Sequence, residues 1–176
     1  MTPDFTHIEY LKAGNERQRQ AYSLLIELTI FEKLYAYQPI LTGTLPIGID
    51  LPESDLDIIC AVADHPAFAK TLTSLFAGQA GFKIRTAEGD GMISTIAIFH
   101  AGGFEIEIFG QDCPTREQHA YRHLLIEHKI LQAQGEAFRA EIIRLKRSGL
   151  KTEPAFAQLL GLEGNPYEAL LRIEWG

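Results

Sequence analysis

Apolar residues recur along this chain with two different periods, and each period predicts one type of secondary structure. Steps of three and four residues between apolar positions predict helices, whereas alternation or a short continuous apolar run predicts a strand. Proline and glycine interrupt both patterns between residues 38 and 54, which predicts turns there. The predicted helices are 15–37, 66–79, 117–134, 136–148, 153–160 and 167–171, and the predicted strands are 40–41, 55–63, 82–86, 93–100 and 104–109.

The order of these elements predicts an α+β fold built on a mixed β-sheet. The helix at 66–79 lies between the strand at 55–63 and the later strands, so it is expected to cross over the sheet. The sequence Ala101-Gly102-Gly103 predicts a hairpin between the last two strands. We expect a single domain over residues 1–176. Its expected parts are an N-terminal helix (15–37), a sheet core (38–112) and a helical C-terminal third (113–176).

Composition excludes several classes of protein. Of the 176 residues, 46% are apolar and 22% are charged, as in an ordinary soluble globular protein. The chain has 16 basic and 23 acidic residues and a net charge of −7, which makes nucleic acid an unlikely partner because phosphate binding needs basic groups. An acidic chain instead suits small ligands or anions that are bound to a metal ion.

Features of the chain as a whole predict a cytoplasmic protein without a membrane span. The polar, acidic first residues do not resemble a signal peptide. No apolar stretch has the length and lack of charge that a membrane-spanning helix needs. Cys60 and Cys113 do not form a Cys-x-x-Cys pair, so we expect two reduced thiols.

The segment that carries candidate chemistry begins at Gly43-Thr44, a turn after a short apolar run. A glycine lets a backbone N–H approach an anion closely, and the threonine hydroxyl adds a donor. Asp55 follows Thr44 by eleven residues, and Asp57 shares its strand face. Two neighbouring carboxylates repel each other and are costly to bury, whereas Mg²⁺ binds carboxylates together with substrate phosphates. The turn and the acid pair therefore predict a site for a magnesium-bound nucleoside triphosphate.

A third acid would complete such a site, and the strand at 104–109 offers two. Glu105 and Glu107 alternate with apolar residues, so both lie on one face of that strand. Either glutamate could serve as a metal ligand or as a general base for an incoming hydroxyl. The alternative is that both lie on a solvated face of the hairpin, as is usual for half-exposed strands.

This pattern resembles the signature of the polymerase-β-type nucleotidyltransferase superfamily: a Gly-Ser or Gly-Thr turn, a short spacer, Asp-x-Asp, and a third acid on a later strand. With its helical C-terminal part, the chain is also similar to a small bacterial family of unassigned function in that superfamily. The residues that carry the resemblance are Gly43, Thr44, Gly48, Ser54, Asp55 and Asp57.

The resemblance implies a transferase that moves a nucleotidyl group from a nucleoside triphosphate to a hydroxyl of a small molecule or a protein, with release of pyrophosphate. It implies one or two Mg²⁺ ions held by Asp55 and Asp57, with Glu107 as a further ligand. It also implies that Gly43 and Thr44 bind the β- and γ-phosphates. The residues expected to act in catalysis are Asp55, Asp57, Glu105 and Glu107, and those expected to bind the nucleotide are Gly43, Thr44, Ser54 and Arg122.

Two other functions fit the same residues. Leu45 and Ile47 stand where small nucleotidyltransferases often have basic residues, which favours a non-catalytic module that binds a nucleotide or a protein partner. In the second alternative function, the acidic cluster binds a cation that only stabilises the structure. Thermal stabilisation by Mg²⁺ without nucleotide dependence would indicate this last function.

The predicted helix at 117–134 carries a second set of polar side chains. His119, His123 and Glu127 follow one another at steps of four and share one face. A zinc site is an alternative, but without a His-Glu-x-x-His pattern or a third ligand we favour a solvated face or a contact with substrate. Arg122 would meet phosphate or an acidic substrate if this helix flanks the carboxylates. An ion pair with Glu117 or Glu127 is the other interpretation.

Overall fold

A five-stranded mixed sheet forms the centre of the fold. The computed structural model of the chain describes residues 3–89 and 91–173. The strands are β1 (Ile40–Thr42), β2 (Leu56–Ala61), β3 (Ala80–Gly89), β4 (Met92–Ala101) and β5 (Phe104–Gln111). Their order across the sheet is β1-β2-β5-β4-β3. The central pair, β2 and β5, is parallel and the other neighbouring pairs are antiparallel. This arrangement confirms the predicted mixed sheet.

Helices cover the sheet and complete the predicted α+β fold class. They are α1 (Glu16–Glu27), α2 (Ile30–Lys33), α3 (His65–Phe76), α4 (His119–Arg147), α5 (Thr152–Leu160) and α6 (Pro166–Leu171). The parallel pairing of β2 with β5 needs a crossover connection, which α3 and the β3–β4 hairpin supply. Within 3–89 and 91–173, no helix has both the length and the apolar character needed to cross a bilayer.

Each face of the sheet is covered by different helices. One buried cluster joins Ile58 and Ile108 of the central strands to residues of α1 and α3. A second buried cluster, on the opposite face, joins Ile59 of β2 to residues of α4 and α5. Because successive residues of a strand point to opposite faces, Asp57 and Glu107 share the face that the C-terminal helices cover.

The predicted single helix at 15–37 is wrong, because the chain turns after α1. Asn15 caps α1 by accepting a hydrogen bond from the Gln18 N–H at 2.9 Å, but the helix ends at Glu27. Thr29 then has a left-handed backbone with a φ of 51°, and α2 begins at the next residue. The turn brings Ile30 and other apolar residues of this segment into the cluster that α1 also enters. Apolar spacing continues through the turn, so periodicity alone could not reveal it.

The predicted break at Gly135 is present, although it lies within one long helical element. The backbone of α4 is non-helical at Gly135, with φ 79° and ψ −172°. A positive φ of this kind suits glycine, which has no Cβ to clash. The start differs from the prediction, since Thr115–Glu117 forms a 3₁₀ turn and α4 begins at His119.

The β1–β2 loop, residues 43–55, is held by side chains from distant parts of the chain. Gln18 of α1 donates to a carbonyl of this loop at 2.8 Å. Lys146 of α4 donates to the Ile49 carbonyl at 2.6 Å, and Arg139 of the same helix donates to a further carbonyl. Backbone carbonyls that are partly buried need such donors, so these contacts define the shape of the loop.

We expect Arg139→Met to lower the free energy of unfolding by about 1–3 kcal/mol, because it leaves loop carbonyls without donors. Arg144→Met is the matched control. Both arginines pair with a glutamate three residues earlier in α4, but the contact from α4 to the Ile47 carbonyl is made by Arg139. Urea unfolding of the two variants measures the difference. Equal losses of stability would show that the loop contact contributes nothing.

Candidate active site

Three acidic side chains lie along the central parallel strands. Asp57 of β2 is directly opposite Glu107 of β5, and Thr42 of β1 is opposite Asp57 on the other side. Asp55 lies just before β2 begins. Since residues two apart on extended backbone share a face, we define Asp55, Asp57 and Glu107 as the acid row.

The acid row lines a cleft of about 1090 Å³ between the sheet and the C-terminal helices. The predicted site residues that line it are Gly43, Thr44, Ser54, Asp55, Asp57 and Glu107. The opposite wall comes from α4 and from the starts of α5 and α6. The polar residues of that wall include His119, His123, Glu127, Lys146, Lys151, Glu153, Tyr167 and Glu168. The fold therefore brings the turn and three of the four predicted acids to one place.

Glu105 does not line this cleft. It pairs across the sheet with His100 of β4, and the His100 Nε2 lies 3.1 Å from the Glu105 Oε2. The side chain of Glu105 is 41% exposed, as the alternative of a solvated hairpin face expects. Strand alternation places Glu105 and Glu107 on the same face, but only the position of β4 decides that a histidine meets Glu105. Of the two predicted glutamates, the structure brings Glu107 to the turn.

Arg122 also lies apart from the cleft, contrary to the expectation that it meets phosphate. It borders a separate depression of about 220 Å³, together with Leu125 and Lys129 of α4. The reason is its position on the helix: His119 and His123 occupy the face of α4 that meets the cleft, and Arg122 lies on the neighbouring stripe.

Burial and mutual repulsion make the acid row costly to ionise. Burial, followed by the nearby charges of Asp55 and Glu107, raises the pKa of Asp57 to about 7. Burial is also the main cause that raises the pKa of Asp55 and the pKa of Glu107. A positive charge placed among the three would favour their ionised forms. The electrostatics of the row therefore suit a bound cation.

The acid row offers hard oxygen ligands, which match Mg²⁺ in chemical type. Within the residues that the structure describes, however, no group of three or more His, Cys, Asp or Glu side chains is arranged to hold a metal ion. Mg²⁺ commonly takes one or two protein carboxylates and fills its other positions with water and substrate phosphates. The acid row therefore matches Mg²⁺ in ligand type, with the other coordination positions left to non-protein oxygens.

The turn at Gly43 is fitted closely to Asp57. The backbone of Gly43 has a φ of 80°, and a Cβ at this position would overlap the Asp57 Oδ2. The side chain of Thr44 lines the cleft beside it. The Ser54 hydroxyl accepts a hydrogen bond from the Leu51 N–H at 2.8 Å, so it shapes the loop as well as lining the cleft.

Two lysines in the cleft were missed by sequence reasoning. Lys146 and Lys151 line the same cleft as the turn and bring positive charge to it, whereas Leu45 and Ile47 bring none. Burial lowers the pKa of Lys146. Its bonding partner in the loop, Ile49, is 97 residues away along the chain. No local pattern marks either lysine as part of the site.

The cleft wall around Glu127 is buried rather than solvated. The His123 Nε2 bonds to the Tyr167 carbonyl at 2.9 Å, and its Nδ1 lies 3.9 Å from a Glu153 carboxylate oxygen. Glu127 is only 4% exposed, and its Oε1 has no hydrogen-bond partner among the described residues. Burial, and then the charge of Glu153, raise the pKa of Glu127 well above its ordinary value. The solvated-face interpretation is therefore wrong for His123 and Glu127, whereas His119 is exposed.

The raised pKa of Glu127 predicts a pH-dependent effect of Glu127→Gln. A carboxyl whose pKa is raised by folding stabilises the fold below its unfolded pKa, and this contribution is lost as pH rises towards the folded value. We therefore expect the variant to match the parent near pH 4 and to be more stable than the parent at pH 8. The charged groups that act on this carboxyl, Glu153 and Lys146, are unchanged in the variant.

Urea unfolding at both pH values measures this effect, with Glu163→Gln at an exposed position as the control for removing one negative charge. A Glu127→Gln variant that is less stable than the parent at pH 8 would contradict a buried carboxyl that is costly to ionise.

The part of the chain that matches a protein-family model includes most of the site. A family model described as a domain of unknown function, DUF4269, matches residues 23–173. The chain belongs to the DUF4269 family. The matched part of this DUF4269 chain includes the turn, the acid row and both lysines of the cleft. A comparison with curated proteins gives no match.

Solved structures share the fold of the DUF4269 chain at low identity. A structure of Cid1, described by its RNA terminal uridylyl transferase activity, aligns with a TM-score of 0.54 and 11% identity over 79% of this chain and 45% of that one. The Cid1 poly(U) polymerase with MgGTP bound aligns with a TM-score of 0.54 and 11% identity over 79% of this chain and 46% of that one. The GLD-2/RNP-8 complex gives 0.55 and 11% over 87% and 61%.

The DUF4269 chain therefore spans between 45% and 61% of the length of these structures. At 11% identity the similarity shows the fold alone. It confirms a nucleotidyltransferase-like α+β fold.

Proposed function

We propose that this chain is a Mg²⁺-dependent nucleotidyltransferase that moves a nucleotidyl group from a nucleoside triphosphate to a hydroxyl of an acceptor. One observation carries the proposal. Asp57 and Glu107 lie opposite each other on parallel strands, and Gly43 fits closely against the Asp57 carboxylate in the same cleft. A turn suited to phosphate and a row of carboxylates are the two parts that this chemistry requires.

The cleft residues divide into two groups by the part of the substrate that they would contact. Asp55, Asp57 and Glu107 would hold Mg²⁺, which when bound neutralises charge on the phosphates and polarises the reacting group. The backbone and hydroxyl of Thr44, next to Gly43, would donate hydrogen bonds to the β- and γ-phosphates. Lys146 and Lys151 face the same cleft and would balance the charge of the triphosphate.

In the reaction, the acceptor oxygen forms a bond to the α-phosphorus, and the bond between the α-phosphorus and its bridging oxygen breaks. Pyrophosphate leaves with that oxygen. The hydroxyl proton would pass to a carboxylate of the acid row, and Glu107 is our candidate for this general base. The walls of the cleft would hold the two reactants close together for this attack.

The structural neighbours support magnesium and a nucleotide as the bound species. Cid1 structures carry MgGTP in one case and MgATP in another. Their RNA acceptor is a property of those proteins. The net charge of −7 on this chain favours a different acceptor.

A thermal-shift series on the full chain tests the nucleotide site. Each common nucleoside triphosphate is added with Mg²⁺, without Mg²⁺, and with Mg²⁺ alone as the control. We expect the correct nucleotide with Mg²⁺ to raise the melting temperature by about 5 °C or more at a concentration about 100 times its Kd. No nucleotide-dependent shift at any concentration would overturn the proposal.

A non-catalytic nucleotide-binding module is the second candidate, because Leu45 and Ile47 leave the positions next to the turn without basic residues. A pyrophosphate-release assay separates the two. Stabilisation by nucleotide without pyrophosphate release, across a range of acceptors, would favour the binding module. Stabilisation by Mg²⁺ alone would favour a structural cation.

A further inference from the structure

The wall opposite the acid row presents hydrogen-bond acceptors to the cleft. The Tyr167 carbonyl can only accept a hydrogen bond, so the His123 Nε2 must donate to it. In the neutral ring the other nitrogen, Nδ1, is then an acceptor. The carboxylate of Glu153 lies beside that nitrogen. This part of the wall therefore offers acceptors to a ligand.

Glu127 adds a buried acceptor with no partner. It lines the cleft, is 4% exposed, and its Oε1 makes no hydrogen bond to any described residue. A buried polar atom of this kind costs free energy unless something bonds to it. A donor group on a ligand in the cleft would supply the missing bond.

The overall charge of the cleft points to the same kind of ligand. Seven acidic side chains and two lysines line it. Magnesium would compensate the acid row, and the triphosphate would take up the positive charge of the lysines. Lys146 also lies near Glu127 and Glu153, but the four acids outside the acid row, which include Glu153 and Glu168, outnumber the two lysines of the lining. Such a surface attracts a cation and repels a polyanion.

We propose that the wall formed by His123, Glu127 and Glu153 is the acceptor subsite, and that the acceptor is a small molecule that carries both an ammonium group and a hydroxyl. This inference rests on the proposed function, since it names the substrate of the same cleft. The ammonium group donates to Glu127 and Glu153. The hydroxyl then faces the acid row and attacks the α-phosphorus, and pyrophosphate leaves as described above.

Binding of matched sugars to the full chain tests the acceptor class. Glucosamine, glucose and glucose 6-phosphate share one ring and differ in charge, and oligouridylate represents an RNA acceptor. Affinities are measured by calorimetry with Mg²⁺ and a non-hydrolysable nucleotide present, and again without them. We expect glucosamine to bind at least about tenfold more tightly than glucose, because one added hydrogen bond between charged groups strengthens binding by about this factor. We expect the two phosphate-bearing probes to bind more weakly than glucose.

Variants of the wall assign the effect to its residues. Glu127→Gln and Glu153→Gln keep the side-chain volume and are expected to remove most of the preference for glucosamine. Glu141→Gln is the control, because that glutamate lies on the same helix, pairs with Arg144 and does not line the cleft. Tighter binding of oligouridylate or glucose 6-phosphate would overturn the inference. An unchanged preference for glucosamine in both wall variants would also overturn it.

Failure of the inference can be told from failure of the proposed function. If the nucleotide still raises the melting temperature but glucosamine binds no more tightly than glucose, the proposed transferase stands and the proposed acceptor class is wrong. Absence of any nucleotide shift removes the transferase. In that case the glucosamine measurement without nucleotide still decides whether the wall binds an ammonium group.

Discussion

Pyrophosphate release by an Asp57→Asn variant is expected to fall by at least about 10³-fold, which corresponds to roughly 4 kcal/mol of transition-state stabilisation. Asp57 is the centre of the acid row: it lies opposite Glu107 in the sheet and against Gly43 in the turn. An asparagine keeps the shape of the side chain but removes the charge that would hold Mg²⁺. The rate of pyrophosphate release, measured with saturating nucleotide and acceptor, is the readout.

Asp112→Asn is the control, because Asp112 is an exposed aspartate just after β5 that does not line the cleft. Its rate should match the parent. Without Mg²⁺, the Asp57→Asn chain is expected to be at least as stable as the parent at pH 8, because it no longer buries a carboxylate among other acids. Loss of turnover then cannot be explained by unfolding. Full turnover in Asp57→Asn would show that the acid row is not the reactive centre.

Gly43→Ala is expected to weaken nucleotide binding by displacing a carboxylate rather than by removing one. A φ of 80° at Gly43 costs an alanine about 1–2 kcal/mol of stability. The new Cβ would also overlap the Asp57 Oδ2, so that carboxylate must move from its place beside the turn. We expect the Kd for the magnesium nucleotide to rise by at least about tenfold. Calorimetric titration of the folded variant gives this constant.

Gly161→Ala separates the two causes. Gly161 has a φ of 65°, and a Cβ there meets nothing within 4 Å, so it carries the backbone cost without the overlap. It should lose a similar amount of stability and retain the parent's Kd. If both variants bind nucleotide as tightly as the parent, the close fit between the turn and Asp57 has no part in binding.

Local features of the sequence were sufficient for most of the fold. Alternation in the strands at 93–100 and 104–109 is a property of neighbouring residues, and the structure extends both strands by only a few positions. The break at Gly135 followed from glycine itself. The helix predicted over 15–37 was wrong, because apolar spacing continues through the turn at Thr29. Where the chain turns without losing its period, only the packing of both halves against one core reveals the turn.

The sequence alone identified the turn and the acid pair of the candidate site. The other residues of the site were identified only by the tertiary structure. Asp55 and Asp57 are two residues apart, and the alternation of extended backbone puts both on one face. The choice between Glu105 and Glu107 depended on His100 of another strand, and the contribution of Lys146 depended on how α4 packs against the β1–β2 loop. Short spacings are governed by the geometry of one element. Convergence of side chains from distant elements is governed by how those elements pack, which no local period records.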